Sequence, residues 1–144
     1  MDIRIAAYGV IIEGDKMLLA HWNEHGRSGW TVPGGGIEGH EHPAEGVVRE
    51  IFEETGYHAQ VEELLGVDTM IVPEANRHNG NGDLYALRIV YRASITGGEL
   101  RHEIGGSSDE ARWVPLDDIS QLKRVSLLDI AVKLYTNRPA IGRV

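Results

Sequence analysis

At 144 residues, 42% apolar and 25% charged, the chain is long enough for one domain with a real core. It has no cysteine, which excludes disulfides, thiol catalysis and thiolate metal sites. Its formal net charge of −8 argues against sequence-independent binding to a nucleic-acid backbone, although an acidic chain can still handle phosphates if arginine, lysine or bound cations supply positive charge locally.

The N-terminus MDIRIAAYGVIIEGDK lacks the basic start, apolar run and cleavage site of a signal peptide. No apolar stretch approaches the roughly 20 residues of a membrane helix, so a cytoplasmic, membrane-free chain is expected. Residues Arg4 to Ile12 read as a strand, Gly14-Asp15 as a turn, and Lys16 to Trp22 as the returning strand of a hairpin. Asn23 to Gly29 reads as a loop, and Trp30-Thr31-Val32 as a short strand stopped by Pro33 and three glycines. Ala44 to Thr55 is the clearest helix. Pro43 suits its first turn, Gly56 suits its exit, and Val48, Ile51, Phe52 and Thr55 share a face at helical spacing, whereas His42 is a poor N-cap.

Further on, 58–72 and 84–95 read as strands around a polar loop, 76–83. The glycine-containing segments 97–98 and 105–109 read as loops, and 111–114 as a short strand before Pro115. Leu116 to Ile119 starts a short helix, Ser126 to Tyr135 reads as a C-terminal helix, and 137–144 as a frayed tail. Strands interrupted by one internal and one terminal helix predict a single mixed α/β domain over 1–144, with helices on the sheet faces.

The chemistry concentrates on the first helix. Glu50, Glu53 and Glu54 fall at i, i+3 and i+4, which puts three carboxylates on one face, opposite the apolar stripe. Such a face can be merely solvated. It can also hold a hard divalent cation such as Mg²⁺, which takes a few carboxylates plus water and substrate phosphates. Arg49 lies four residues before Glu53, and Glu45 four before Arg49, so each pair can form an ion pair.

The spacing Gly35-x5-Glu41-x7-Arg49-Glu50-Ile51-x-Glu53-Glu54-x-Gly56 resembles the Nudix box, with all seven fixed residues present. A chance match at a given start is on the order of one in 10⁸ to 10⁹ at ordinary residue frequencies. The last box position, Tyr57, is bulky but not aliphatic, a departure that touches packing behind the helix. Trp30 to Gly35 resembles the strand leading into the box, and Ala111 to Leu116 resembles the family's late strand.

The resemblance implies a Nudix-type α-β-α sandwich with a mixed sheet, a catalytic helix after the Gly-rich loop and a C-terminal helix. It implies a pyrophosphohydrolase that uses Mg²⁺, with Mn²⁺ able to substitute, and cleaves the diphosphate linkage of a small nucleotide, a nucleoside triphosphate or a nucleoside diphosphate linked to another group, by water attack on phosphorus. By similarity Glu50, Glu53 and Glu54, with the Gly35 carbonyl, bind metal, and Glu53 or Glu50 takes a proton. Arg49 orients a carboxylate and Glu41 braces the junction between loop and helix. Some members take a general base from a late loop. Among Glu103, Asp109 and Glu110, the choice here falls on Glu110, because it precedes the Trp113 strand. Homodimers are common in the family.

Substrate choice is thinner. Pro73 resembles a feature of ADP-ribose-type members and is also an ordinary strand terminator. Arg27 could contact a phosphate or lie in a solvated loop. Tyr8, Trp22, Tyr85 and Tyr91 could stack on a base or pack in the sheets. No histidine spacing marks a zinc site, and His40 is the one that could lie near substrate. The alternatives are a catalytically silent ligand sensor, which would ordinarily have lost box carboxylates, and an enzyme acting on RNA 5′ ends, which the acidic charge disfavours.

Overall fold

The computed structural model describes residues 1–144. In chain order the elements are β1 (Asp2–Val10), β2 (Ile12–Glu13), β3 (Lys16–Glu24), β4 (Arg27–Thr31), β5 (Gly34–Gly36), α1 (Pro43–Thr55), β6 (Tyr57–Val72), β7 (Leu84–Gly98), β8 (Ser108–Pro115) and α2 (Ser126–Asn137), with 3₁₀ turns at Glu74–Asn76 and Leu116–Gln121. No helix is long and apolar enough to cross a membrane.

The strands form two four-stranded sheets. The first is mixed, in the order β5-β1-β7-β6, with β1 parallel to β7 and antiparallel to β5. The second is centred on β3, which has β8 on one edge and β2 and β4 on the other. One apolar cluster joins Val10, Val90, Met17, Leu19 and Val114 to Leu127, Leu128, Ala131 and Leu134 of α2. A second joins Ala7, Ile11, Leu18 and Tyr91 to Val47 and Ile51 of α1. The helices thus cover apolar faces on either side of the sheets, and the expected α-β-α sandwich is the one observed.

The hairpin expected from Arg4 to Trp22 is instead a switch between sheets. All of β1, Asp2 to Val10, pairs with Leu84 to Arg92 of β7. Ile11 is buried, and only Ile12-Glu13 folds back on Lys16-Met17, around Gly14 at φ +61°. The loop expected at 23–29 shrinks to His25-Gly26, because Arg27, Ser28 and Gly29 already pair with β3. The tail expected to fray is pinned: Val67 N–H donates to the Gly142 carbonyl at 2.7 Å. A Cβ on Gly66 would meet that oxygen at 2.4 Å, so the glycine permits the closure.

Helix α1 is capped better than its sequence suggests. His42 Nδ1 accepts from Ala44 N–H at 3.0 Å, and the Glu45 carboxylate accepts from His42 N–H at 2.9 Å. This is a capping box with imidazole in the usual hydroxyl's place. Glu45 is therefore occupied at the cap and does not pair with Arg49. At the other end Gly56, at φ +81°, gives the left-handed exit.

The buried stripe is rotated by about one residue from expectation. Gly46, Val47, Ile51, Glu54 and Thr55 are buried, while Val48 and Phe52 are only half-buried. Burying Val47 and Ile51 contributes about 3–6 kcal/mol together. The Phe52 ring stacks on His58 at 4.6 Å and carries the Arg101 guanidinium 4.9 Å from its centre. Tyr57, the departure from the box, has a local reason: its hydroxyl accepts from Trp113 Nε1–H at 3.0 Å, tying the start of β6 to β8.

Candidate functional site

The rotation of α1 puts Glu54 inside. It is only 5% exposed, and both oxygens have donors: Gly34 N–H at 3.0 Å and Ser108 Oγ–H at 2.9 Å. Burial pushes its carboxyl up to about 8, against those two hydrogen bonds and with the help of the nearby Glu50 and Glu103 charges. Glu50 lies beside it. Its carboxyl is also raised, chiefly by burial and further by Glu53, while Arg49 pulls it down. Two carboxylates so placed cannot both ionise without a compensating charge.

Arg49 is the hub of the helix. Nε and Nη2 fork onto both oxygens of Glu41, at 3.1 and 2.7 Å, and Nη2 also reaches the Gly36 carbonyl at 3.1 Å. Nη1 donates to Glu50 at 3.1 Å and to Glu53 at 3.2 Å. Glu41 in turn accepts from Glu38 N–H at 2.7 Å. One guanidinium therefore fixes the loop, the glycine strand and two carboxylates. A Cβ on Gly46 would stand 2.7 Å from a Glu41 oxygen, so the bare backbone there lets Glu41 seat against the helix.

The glycines have separate jobs. A Cβ on Gly35 would sit 2.9 Å from the Glu50 carboxylate, which occupies the space a side chain would fill. Gly34, at φ +150°, would drive a Cβ to 2.2 Å from the Ala7 carbonyl.

These groups open on a cleft of about 560 Å³ between the sheets. The first sheet contributes Arg4, Tyr8, Met70, Ala86 and Arg88, and the second contributes Trp22 and Thr31. Glu50, Glu54, Gly34 to Gly36 and Ser108 form the acidic end. A smaller arm of about 350 Å³ continues past Trp22, Glu24, Val72 and Leu84 to Arg27 and to His25, which stacks on His78 at 3.6 Å.

The expected three-carboxylate set is only partly assembled: Glu50 and Glu54 adjoin, but no three acidic or imidazole groups converge on one point. Glu53 is turned toward Arg49 and its side chain is 46% exposed. Glu110 is not brought to the site. A bulge in the β3–β8 pairing separates it from Ser108, and its carboxylate pairs with Arg112. Asp109 faces away and is held by His21 at 2.7 Å and Asn23 at 2.9 Å. Of the late acids only Glu103 reaches the site, accepting from Ser108 N–H at 3.3 Å and raising Glu54 through its charge. Tyr91 belongs to the core, neither Tyr85 nor His40 lines the cleft, and Pro73 caps a 3₁₀ turn. Sequence reasoning missed Ser108, which stands in a Gly-Ser segment with no pattern to mark it. It also passed over Arg4, whose signal was a lone charge between two isoleucines.

Fold and site together define an α/β sandwich whose carboxylate-bearing helix and glycine strand wall an interlayer cleft. The NUDIX domain model matches residues 3–133, and the chain belongs to the Nudix hydrolase family. A MutT-like protein of Streptomyces ambofaciens is 32% identical over 81% of this chain and 67% of its own length. An ADP-ribose pyrophosphatase of Methanocaldococcus jannaschii is 33% identical over 82% of this chain and 65% of its own length. This chain spans only 38% of a Caenorhabditis elegans relative that it matches over 96% of its own length. Among solved structures, a NUDIX hydrolase from Nitrosomonas europaea superposes with a TM-score of 0.79 at 21% identity, covering 99% of this chain and 92% of that one, which bears on the fold alone.

Proposed function

We propose that the chain is a Mg²⁺-dependent pyrophosphohydrolase that cleaves the diphosphate linkage of a small nucleotide, most simply a nucleoside diphosphate joined to a second group. The observation that carries this reading is the close Glu50/Glu54 pair set against the bare backbone of Gly35 at the end of a cleft. Adjacent carboxylates, one buried and one half-buried, beside a glycine suit a hard divalent cation, which would relieve their mutual repulsion. In this reading Glu50, Glu53 and Glu54 and the Gly35 carbonyl hold metal, with Glu53 leaving Arg49 to join the set. The name of the Methanocaldococcus jannaschii relative supports a nucleoside diphosphate-linked substrate.

Bound metal would lower the pKa of water and neutralise phosphoryl oxygens. The chain's own residues do the rest. Arg49, braced by Glu41, holds the Glu50 carboxylate in a fixed direction, so little reorganisation of that group accompanies reaction. Water oxygen bonds to one phosphorus as the bond from that phosphorus to the bridging oxygen breaks, and the bridging oxygen leaves with the other phosphate. The water proton passes to a carboxylate. Glu53, already an acceptor candidate from the motif, is open to solvent, and Glu103, which stands beside Ser108, takes the place first given to Glu110.

The test is a hydrolysis screen with and without Mg²⁺, wild type against Glu54→Gln, over ADP-ribose, other nucleotide sugars, dinucleoside polyphosphates and nucleoside triphosphates. Metal-dependent cleavage that falls by orders of magnitude in the folded variant is expected. Equal cleavage by the variant, or none by the wild type, defeats the proposal.

A further inference from the structure

An acidic protein must bring positive charge to a diphosphate, and the cleft has two arginines to offer. Arg88 is spent: its Nε donates to Asp68 at 2.9 Å and its Nη2 to the same oxygen, and the residue is buried. Arg4 differs. No ion pair within 4 Å engages it, its one side-chain partner is the Tyr8 hydroxyl at a long 3.4 Å, and the charges of Glu50 and Glu24 act on it only from farther away. The residue as a whole is exposed, while its side chain lines the cleft.

Its position is set by strand register. β1 pairs with the glycine strand through Ala6 opposite Gly36 and Tyr8 opposite Gly34. The Arg4 guanidinium lies along that strand, with Nη2 and Nε 3.7 and 3.8 Å from where a Gly36 Cβ would be. The Glu50 carboxylate lies against Gly35 on the strand's other face, since consecutive strand residues alternate. A cation and the acidic pair thus flank one strip of bare backbone and open on the same cleft.

We propose that Arg4 forms an anion subsite in this cleft that works without metal, taking the phosphoryl oxygens of the half of a diphosphate that the carboxylate helix does not hold. This rests on the diphosphate reading above. It adds a cation outside the sequence motif, and it divides the labour: the acids act through a metal on one phosphate, while Arg4 grips the next directly. Guanidinium suits that task through its planar fork, which matches phosphoryl oxygens better than an ammonium does.

The probe is inorganic pyrophosphate, titrated by calorimetry in EDTA into wild type, Arg4→Gln and Arg4→Lys. Arg4 makes no ion pair, so the variants should fold, and thermal melts check this. Loss of a charge-assisted contact should weaken binding by about tenfold to a hundredfold in Arg4→Gln, with Arg4→Lys between. Steady-state kinetics with Mg²⁺ and the best substrate should place most of the loss in KM. Equal pyrophosphate affinity in wild type and folded Arg4→Gln, or no metal-free binding by wild type, overturns the subsite. If Arg4-dependent binding is found but no diphosphate is cleaved, the subsite stands and the hydrolase reading fails.

Discussion

Ser108 on β8 donates a 2.9 Å hydrogen bond to the buried Glu54 carboxylate on α1, joining residues 54 apart in the chain. The contact closes the acidic end of the cleft from the side of the second sheet. It also fixes one Glu54 oxygen and leaves the direction of the group to that hydroxyl and Gly34 N–H. On the proposed function, in which Glu54 holds metal, removing the donor in Ser108→Ala should lower turnover and apparent Mg²⁺ affinity by about tenfold to a hundredfold, as loss of a group that orients a metal ligand does. Activity measured against Mg²⁺ concentration reads this out. Glu110→Gln, whose carboxylate faces Arg112, should stay near wild type in the same assay. A Glu110→Gln loss as large as that of Ser108→Ala would mean that the late acids have been assigned in the wrong order.

Neighbouring glycines should fail in different ways. In Gly35→Ala the new methyl meets the end of the Glu50 side chain, which can move, so the fold should survive while activity drops at least about tenfold through a displaced carboxylate. In Gly34→Ala the methyl meets the Ala7 carbonyl at 2.2 Å, and the residue's φ of +150° disfavours any side chain. Backbone must shift, so this variant should lose expression or melt far lower. Thermal melts paired with activity separate the two. A Gly35→Ala protein with full activity would remove Glu50 from the site.

Phe52 gives a stability test of the rotated helix face. A fully buried phenylalanine costs about 3–5 kcal/mol when cut to alanine. Here the ring is half-buried, under Arg101 and beside His58, so Phe52→Ala should cost roughly half of that, about 1.5–2.5 kcal/mol. Ile51→Ala, fully buried, should cost about 2–5 kcal/mol. Denaturant unfolding of both variants checks the order. A larger loss for Phe52→Ala would restore the stripe first read from the sequence.

The two sides of helix α1 differ in how far local sequence determines them. Helix α1, its proline and its glycine exit were visible because they depend on local backbone chemistry, and the motif fixed Glu41, Arg49 and the acids by spacing alone. The helix face was not, because Val47 and Val48 are equally apolar and only the packing partner chooses between them. Glu54 looked like a surface acid until Gly34 N–H and Ser108 supplied donors from distant segments. The β1 switch between sheets was likewise hidden, since a hairpin is the local solution and the parallel partner β7 lies far along the chain. His42 failed as a cap by residue type, yet its Nδ1 accepts as a hydroxyl oxygen would.

Glu63 links sheet and tail and should make the fold sensitive to acid. Its carboxylate accepts from Arg92 at 2.9 Å and from Arg138, just past α2, at 3.3 Å. These hold it below its ordinary value of 4.5, Arg92 chiefly through its hydrogen bond. A carboxyl lowered by folding contributes stability that is fully present above the unfolded value and lost as pH falls through the folded one. Wild type should therefore exceed Glu63→Gln in stability at pH 7, and the gap should close as pH drops below about 4.5. The pair is solvent-exposed, so 0.5 M salt should also narrow the gap at pH 7. Melts across pH 3 to 7 at two salt concentrations decide the matter. A gap that persists unchanged at low pH would mean that Glu63 acts through packing and not through its charge.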